Sequence, residues 1–123
     1  MKKRPVNLAL WTIKFPLPAI TSILHRASGF LLFLAIPVFL AFLAGTLASE
    51  ESFQQVQTCF STPVVKLLMW VLLSALMYHV VAGIKHLLMD MGIGETLVGV
   101  RVAAVLTLGI SILISVMLGM WLW

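Results

Sequence analysis

The chain has 123 residues, of which 62% are hydrophobic and only 10% are charged, and its mean hydropathy is +1.14. A soluble globular domain carries about 25% charged residues, so this chain lacks the polar surface of a water-soluble fold and we expect lipid to be its solvent. The net charge of +4 comes from dispersed basic residues, which argues against a nucleic-acid partner. The single cysteine, Cys59, excludes a disulfide within these residues.

Three long segments of the chain are almost free of charge, and each is close to or above the roughly 20 apolar residues that a bilayer core requires. We therefore predict an all-α integral membrane protein that forms one membrane domain over residues 1–123. The predicted transmembrane helices are 18–47, 63–89 and 97–122.

The first apolar segment follows Lys2, Lys3 and Arg4, as a signal peptide would. However, the basic cluster is far from the apolar run, and that run is longer than the usual 7–15 residues. We expect a retained helix with a kink at Pro37, which a membrane tolerates.

Local signals mark one helix start and two packing faces. Thr62 followed by Pro63 is typical of an N-cap and the first helical position. Ala41 and Gly45 are small residues four apart in the first helix. The third helix carries a longer series of this kind, at Thr107, Ser111, Ser115 and Gly119. Small residues on one face allow another helix to approach closely.

The basic residues are unevenly distributed between the two ends of the predicted helices. Seven of the eight lie near the N-terminus or around the connection between the second and third helices. The other connection carries Glu50, Glu51 and only Lys66. The positive-inside rule therefore predicts a cytoplasmic N-terminus and a periplasmic C-terminus.

Ser22, His25 and Arg26 form a first polar cluster at the start of the first helix. Spacings of three and four place them on one helix face. A hydroxyl, an imidazole and a guanidinium suit a neutral carbonyl ligand or a carboxylate. The alternative is that Arg26 only snorkels to the interface and adds positive-inside charge.

A second cluster lies on the second helix, where His79, Gly83, His86 and Asp90 share a face. A neutral imidazole as deep as His79 is costly unless it is bonded, and haem iron is a common partner. Gly83 would allow a flat macrocycle close to the helix. His86 and Asp90 could hold or relay a proton, although a solvated helix end is the commoner explanation for such residues.

Geometry limits the haem hypothesis. His79 and His86 are about 10 Å apart along one helix, so they cannot bind opposite faces of one iron. The sequence therefore predicts half of a haem site, with the other axial ligand on another subunit. The alternative for His79 is a hydrogen bond to a neighbouring helix.

The polar residues of both clusters belong to two motifs. The first is Arg4-Pro5-Val6 followed by Ser22-x-x-His25-Arg26-x-Ser28, and the second is His79-x-x-x-Gly83-Ile84-Lys85-His86-x-x-x-Asp90-x-Gly92. Together, in a three-helix chain, they resemble the cytochrome b membrane-anchor subunits of succinate dehydrogenase (succinate:quinone oxidoreductase, respiratory complex II), in their bacterial form. The resemblance covers nearly the whole chain. It departs at Lys85, where the family usually has arginine, and lysine lacks the bidentate fork.

The resemblance implies a role for each matched position. His79 stands at the axial ligand of haem b, and Ser22 and Arg26 stand at the quinone site. His25 and Arg26 lie where haem propionates are held. His86 and Asp90 would take part in proton supply, Asp90 matching the family's acidic position.

The resemblance also implies partners and a location. This chain would be half of a heterodimeric helical bundle with a second small membrane-anchor subunit. An iron-sulfur subunit and a flavoprotein with FAD would deliver electrons from succinate to a quinone, with ubiquinone expected, in the tricarboxylic acid cycle and respiratory chain. The chain would not be catalytic alone and would lie in the bacterial cytoplasmic (inner) membrane.

Two other function classes share features with this chain. A haem-free helical adaptor of another membrane complex would share the topology but would not need an imidazole at depth. A small efflux transporter would need a carboxylate within the membrane, and the predicted spans contain none.

Overall fold

The computed structural model describes residues 12–123, so Lys2, Lys3 and the Arg4-Pro5-Val6 part of the first motif lie outside the described residues. The described helices are α1 (Leu17–Ala48), α2 (Glu50–Phe60), α3 (Pro63–Asp90) and α4 (Leu97–Leu122). No strand occurs between residues 12 and 123. Helices α1, α3 and α4 are long and apolar enough to cross a membrane. The chain is an all-α integral membrane protein, and its three spanning helices agree with the predicted bounds to within one residue.

The connection between α1 and α3 is itself helical, which the sequence analysis did not predict. Helix α1 continues through Pro37 and ends at Ala48, and α2 then lies against its last turns. A Cβ at Gly45 would come within 3.3 Å of Val56 Cγ2, and the rings of Phe42 and Phe60 lie 5.0 Å apart. Since the other face of α2 is polar, this helix has the character of one that lies in the membrane interface.

Helices α3 and α4 are joined by a tight reversal. Gly92 and Gly94 adopt φ values of 81° and 79°, a left-handed conformation that glycine reaches without steric cost. The Thr96 hydroxyl then accepts the Gly99 N–H at 3.0 Å and caps α4. A Cβ at Gly99 would come within 2.6 Å of the Gly94 carbonyl oxygen, so the reversal requires glycine there as well.

Helix α3 packs against both of the other spanning helices. Of the small residues predicted on one face of α4, Thr107 and Ser111 are buried, and Ser115 and Gly119 contact α3. Trp70 Nε1 donates to the Ser115 carbonyl oxygen at 2.8 Å, and the Ser74 and Ser115 hydroxyl oxygens lie 2.7 Å apart. A Cβ on Gly119 would approach Trp70 Nε1 to 3.3 Å. At this same end of the helix, α3 begins at Pro63 directly after Thr62, as predicted, although the Thr62 hydroxyl donates to the Cys59 carbonyl oxygen and does not cap α3.

Three spans place the α2 connection and the α3–α4 reversal on opposite sides of the membrane. Topology reporters fused at Gln55 and at Gly94 should therefore give opposite signals, measured as periplasmic alkaline phosphatase against cytoplasmic fluorescent protein activity. Fusions that report the same side would be incompatible with three spans.

Candidate functional site

The start of α1 and the end of α3 lie side by side, because the two helices run antiparallel. We call this region the polar end of the bundle, and it carries Ser22, His25, Arg26, Lys85, His86 and Asp90. Two contacts tie its helices together at Thr21, whose side chain is fully buried. The Tyr78 hydroxyl donates to the Thr21 carbonyl oxygen at 2.8 Å, and Lys85 Nζ donates to Thr21 Oγ1 at 3.4 Å.

His79 projects from α3 onto the backbone of α1. Its Nδ1 lies 3.1 Å from the His25 carbonyl oxygen and 3.0 Å from Ser28 Oγ. The Ser28 hydroxyl itself donates to the same carbonyl at 2.8 Å, so its lone pairs are available to Nδ1. A carbonyl oxygen can only accept, and the hydrogen bond therefore assigns the proton of His79 to Nδ1.

This tautomer leaves His79 Nε2 with a free lone pair. No hydrogen bond within residues 12–123 engages that atom. The enclosed side-chain polar atoms without a partner in this part of the chain are His25 Nε2 and Ser111 Oγ. His79 Nε2 is not one of them, so it is not sealed inside the bundle. A neutral imidazole whose N–H is held by a backbone carbonyl is the usual arrangement of a histidine that ligates a metal.

Glycine makes room for both histidines between α1 and α3. A Cβ at Gly29 would lie only 2.8 Å from His79 Cε1, so the ring of His79 occupies the space that a side chain would take on α1. From the sequence, Gly83 was predicted to leave space for a flat macrocycle, and its neighbour in the structure is His25. A Cβ there would approach His25 Nε2 to 3.6 Å, an ordinary contact distance.

His25 lies between the other two histidines. Its ring stacks on that of His79 with centroids 4.2 Å apart and planes 20° apart, and the His86 ring lies 5.1 Å away on its other side. Stacked rings present their nitrogens side by side, so His25 and His79 cannot bind opposite faces of one metal ion. No group of three potential metal ligands occurs among the described residues.

Lys85 is buried, with 8% of its surface exposed. Thr21 Oγ1 is its only hydrogen-bond partner in residues 12–123, and no ion pair with a carboxylate is found there. Its side chain also lines a cavity of about 300 Å³ between α3 and α4. A buried ammonium group normally needs more hydrogen-bond partners than one hydroxyl. Lys85 Nζ can therefore donate to further polar partners.

The remaining predicted residues lie nearer the surface. Ser22 is half-buried, whereas Arg26 and Asp90 are exposed. Neither Ser22 nor Arg26 makes a hydrogen bond within the described residues, so their donors are available to a ligand. No hydrogen bond or ion pair joins His86 to Asp90 in that part of the chain.

Comparison with known proteins decides the family. A family model described as succinate dehydrogenase/fumarate reductase transmembrane subunit matches residues 1–118. The chain belongs to this family. It is 43% identical to the succinate dehydrogenase cytochrome b556 subunit of Coxiella burnetii over 98% of each chain. It is 34% identical to the cytochrome b556 subunit of Paracoccus denitrificans over 74% of this chain and 70% of that one. The mitochondrial cytochrome b560 subunit of Mus musculus is 31% identical over 91% of this chain and 68% of its own length.

The histidines of the site could be identified from the sequence, but the residues that hold them could not. Ser28 and Gly29 contact His79. Thr21 accepts hydrogen bonds from Tyr78 and Lys85. The available signal was the spacing of Thr21, Ser28 and Ala35 at intervals of seven, which marks one buried face of α1.

Proposed function

We propose that this chain is the cytochrome b membrane-anchor subunit of a bacterial succinate dehydrogenase. In this role it supplies one axial ligand of haem b, His79, and contributes Ser22 and Arg26 to a quinone-binding site. The observation that carries the proposal is the His79 ring, whose Nδ1 is hydrogen-bonded to the His25 carbonyl while Nε2 has no partner in the described residues. The names of the relatives, succinate dehydrogenase cytochrome b subunits, support it independently.

The donor set of this chain fits half of a haem site. His79 offers one nitrogen with a free lone pair, and the stacking of His25 on His79 argues against a second ligand from this chain. The other axial ligand would come from a second small membrane-anchor subunit. When bound, haem b would supply a one-electron redox centre. His25 and Arg26 would hold its propionates, since both are at the polar end and Arg26 carries a permanent charge.

The quinone site would use the first turns of α1. A quinone is neutral and apolar, so it can diffuse within the bilayer and enter from the side. Its two carbonyl oxygens gain electron density on reduction, and donors aimed at them stabilise the reduced forms more than the oxidised one. Ser22 offers a neutral hydroxyl, and Arg26, one turn later, offers a donor that keeps its proton. His86 and Asp90 would supply protons from the aqueous side.

The partners and the orientation follow from the same proposal. An iron-sulfur subunit would dock at the polar end and pass electrons to the quinone, with ubiquinone expected, and a flavoprotein with FAD would oxidise succinate. The polar end would face the cytoplasm, because the basic residues concentrate there. The chain would lie in the bacterial cytoplasmic membrane. Reporter fusions at Gln55 should then give the periplasmic signal.

Replacement of the proposed iron ligand tests the haem assignment. His79→Leu should abolish or strongly shift the b-type absorption spectrum of the purified complex, since no nitrogen remains at that position. His86→Leu is the matched control and should leave iron ligation intact, because His86 lies two turns away on the same helix. An unchanged low-spin haem spectrum in His79→Leu would refute the assignment. A wild-type complex without any b-type spectrum would favour a haem-free adaptor.

Replacement of the two proposed hydrogen-bond donors tests the quinone-site part of the proposal. Ser22→Ala and Arg26→Leu should each lower succinate:quinone electron transfer, for Arg26 by roughly 10²–10³, because a preorganised donor to developing negative charge is lost. Electron transfer from succinate to a soluble dye, assayed on the same membranes, should survive. Haem content should be unchanged in Ser22→Ala, whereas Arg26→Leu is expected to disturb it through a lost propionate contact.

The controls separate chemistry from assembly. Ser22→Thr retains a hydroxyl and should keep most of the quinone activity. Arg101→Gln removes an exposed positive charge at the start of α4 and should have little effect. Equal loss of quinone and dye activity in the Ser22 and Arg26 variants would mean that they fail to assemble. Full quinone activity in both would place the site on other residues.

A further inference from the structure

We infer that Gly29 is a positioning residue for the proposed haem ligand, because the absence of a side chain at this place on α1 fixes where the His79 ring lies. The inference rests on the proposed function, in which His79 binds iron. Gly29 itself would touch neither iron nor quinone. Its effect would pass entirely through the imidazole of His79.

The steric argument is direct. A Cβ at Gly29 would lie 2.8 Å from His79 Cε1, 3.4 Å from Nδ1 and 3.8 Å from Nε2. Real Cβ atoms essentially never approach a neighbouring carbon to 2.8 Å, so an alanine at this position requires the ring or the helix to move. The contact covers the edge of the ring between the two nitrogens, which is the edge that decides where Nε2 points.

The ring is not free to retreat. Nδ1 is held by the His25 carbonyl oxygen at 3.1 Å and by Ser28 Oγ at 3.0 Å, and both groups belong to the same turn of α1 as Gly29. A ring that moves away from a new Cβ therefore moves away from its two hydrogen-bond partners. His25 stacks on the ring at 4.2 Å and limits movement on that side.

The helices are also fixed relative to each other near this contact. The Tyr78 hydroxyl, one residue before His79, donates to the Thr21 carbonyl of α1 at 2.8 Å. Separation of α1 from α3 to relieve the clash would lengthen this bond. The clash should therefore be relieved mainly by rotation of His79, which loses the hydrogen bond that selects its tautomer. Loss of a group that orients a metal-ligating histidine typically costs roughly 10–100-fold in metal affinity.

A matched pair of glycine variants tests the inference in the intact membrane complex. Gly29 and Gly109 both lie within helices, and neither has a positive φ. Both alanine variants gain helix propensity. The new Cβ at Gly29 meets His79 at 2.8 Å, whereas the one at Gly109 meets nothing within 4 Å. Retention of haem b, its absorption maximum and its midpoint potential are the readouts, with dye-linked succinate oxidation as the measure of assembly.

We expect Gly29→Ala to lose haem roughly 10–100-fold more readily than the wild-type complex and to show a shifted spectrum or potential. Gly109→Ala should resemble the wild type. A Gly29→Ala complex with wild-type haem retention, spectrum and potential would overturn the inference.

A double-substitution cycle keeps the test decisive if Gly29→Ala assembles poorly. In the His79→Ala background the ring is gone, so Gly29→Ala should cause no further loss of assembled complex. An equal loss of assembly with and without the ring would overturn the inference. The cycle also distinguishes failure of the Gly29 inference from failure of the proposed haem ligation. A native haem spectrum in His79→Ala would refute iron ligation, whereas assembly of the four complexes would still report whether Gly29 acts through His79.

Discussion

A buried imidazole must have its N–H satisfied inside a membrane, and in this chain the His25 carbonyl satisfies that of His79. The carbonyl belongs to α1 and the imidazole to α3, so one hydrogen bond fixes the register of two helices and the tautomer of a ring. Ser28 strengthens the arrangement by bonding to both groups, and Gly29 gives the ring its place. The candidate site therefore depends on backbone geometry as much as on side chains.

The need to satisfy polar groups inside a membrane also explains the polar seam between α1 and α3, by which we mean Thr21, Tyr78 and Lys85. Lipid-facing positions of the spanning helices are almost entirely apolar, and the polar groups turn inward to partners on a neighbouring helix. Tyr78 and Lys85 both bond to Thr21, one turn or less from Ser22 and His25. The seam thus holds the start of α1 rigidly, and the donors of Ser22 and Arg26 are presented by a fixed turn rather than by a loose end.

Composition and charge were sufficient to predict the spanning helices, because bilayer thickness sets the length of an apolar segment. The small-residue face of α4 was predictable for a similar reason, since spacing alone places Thr107 and Ser111 together. Helix α2 was missed because its mixed polarity excludes a span without excluding a helix. The contacts of Gly29 and Lys85 were missed because they depend on which residues of α1 and α3 lie opposite each other, and the sequence contains no direct measure of that register.

A cryo-EM map of the assembled complex tests the central claim most directly. The account predicts continuous density between the haem iron and Nε2 of His79, with Nδ1 still within hydrogen-bond distance of the His25 carbonyl oxygen. The opposite ligand should come from another subunit. Iron ligated by His25 or His86, or a His79 ring rotated away from α1 with its Nδ1 facing lipid, would contradict the account.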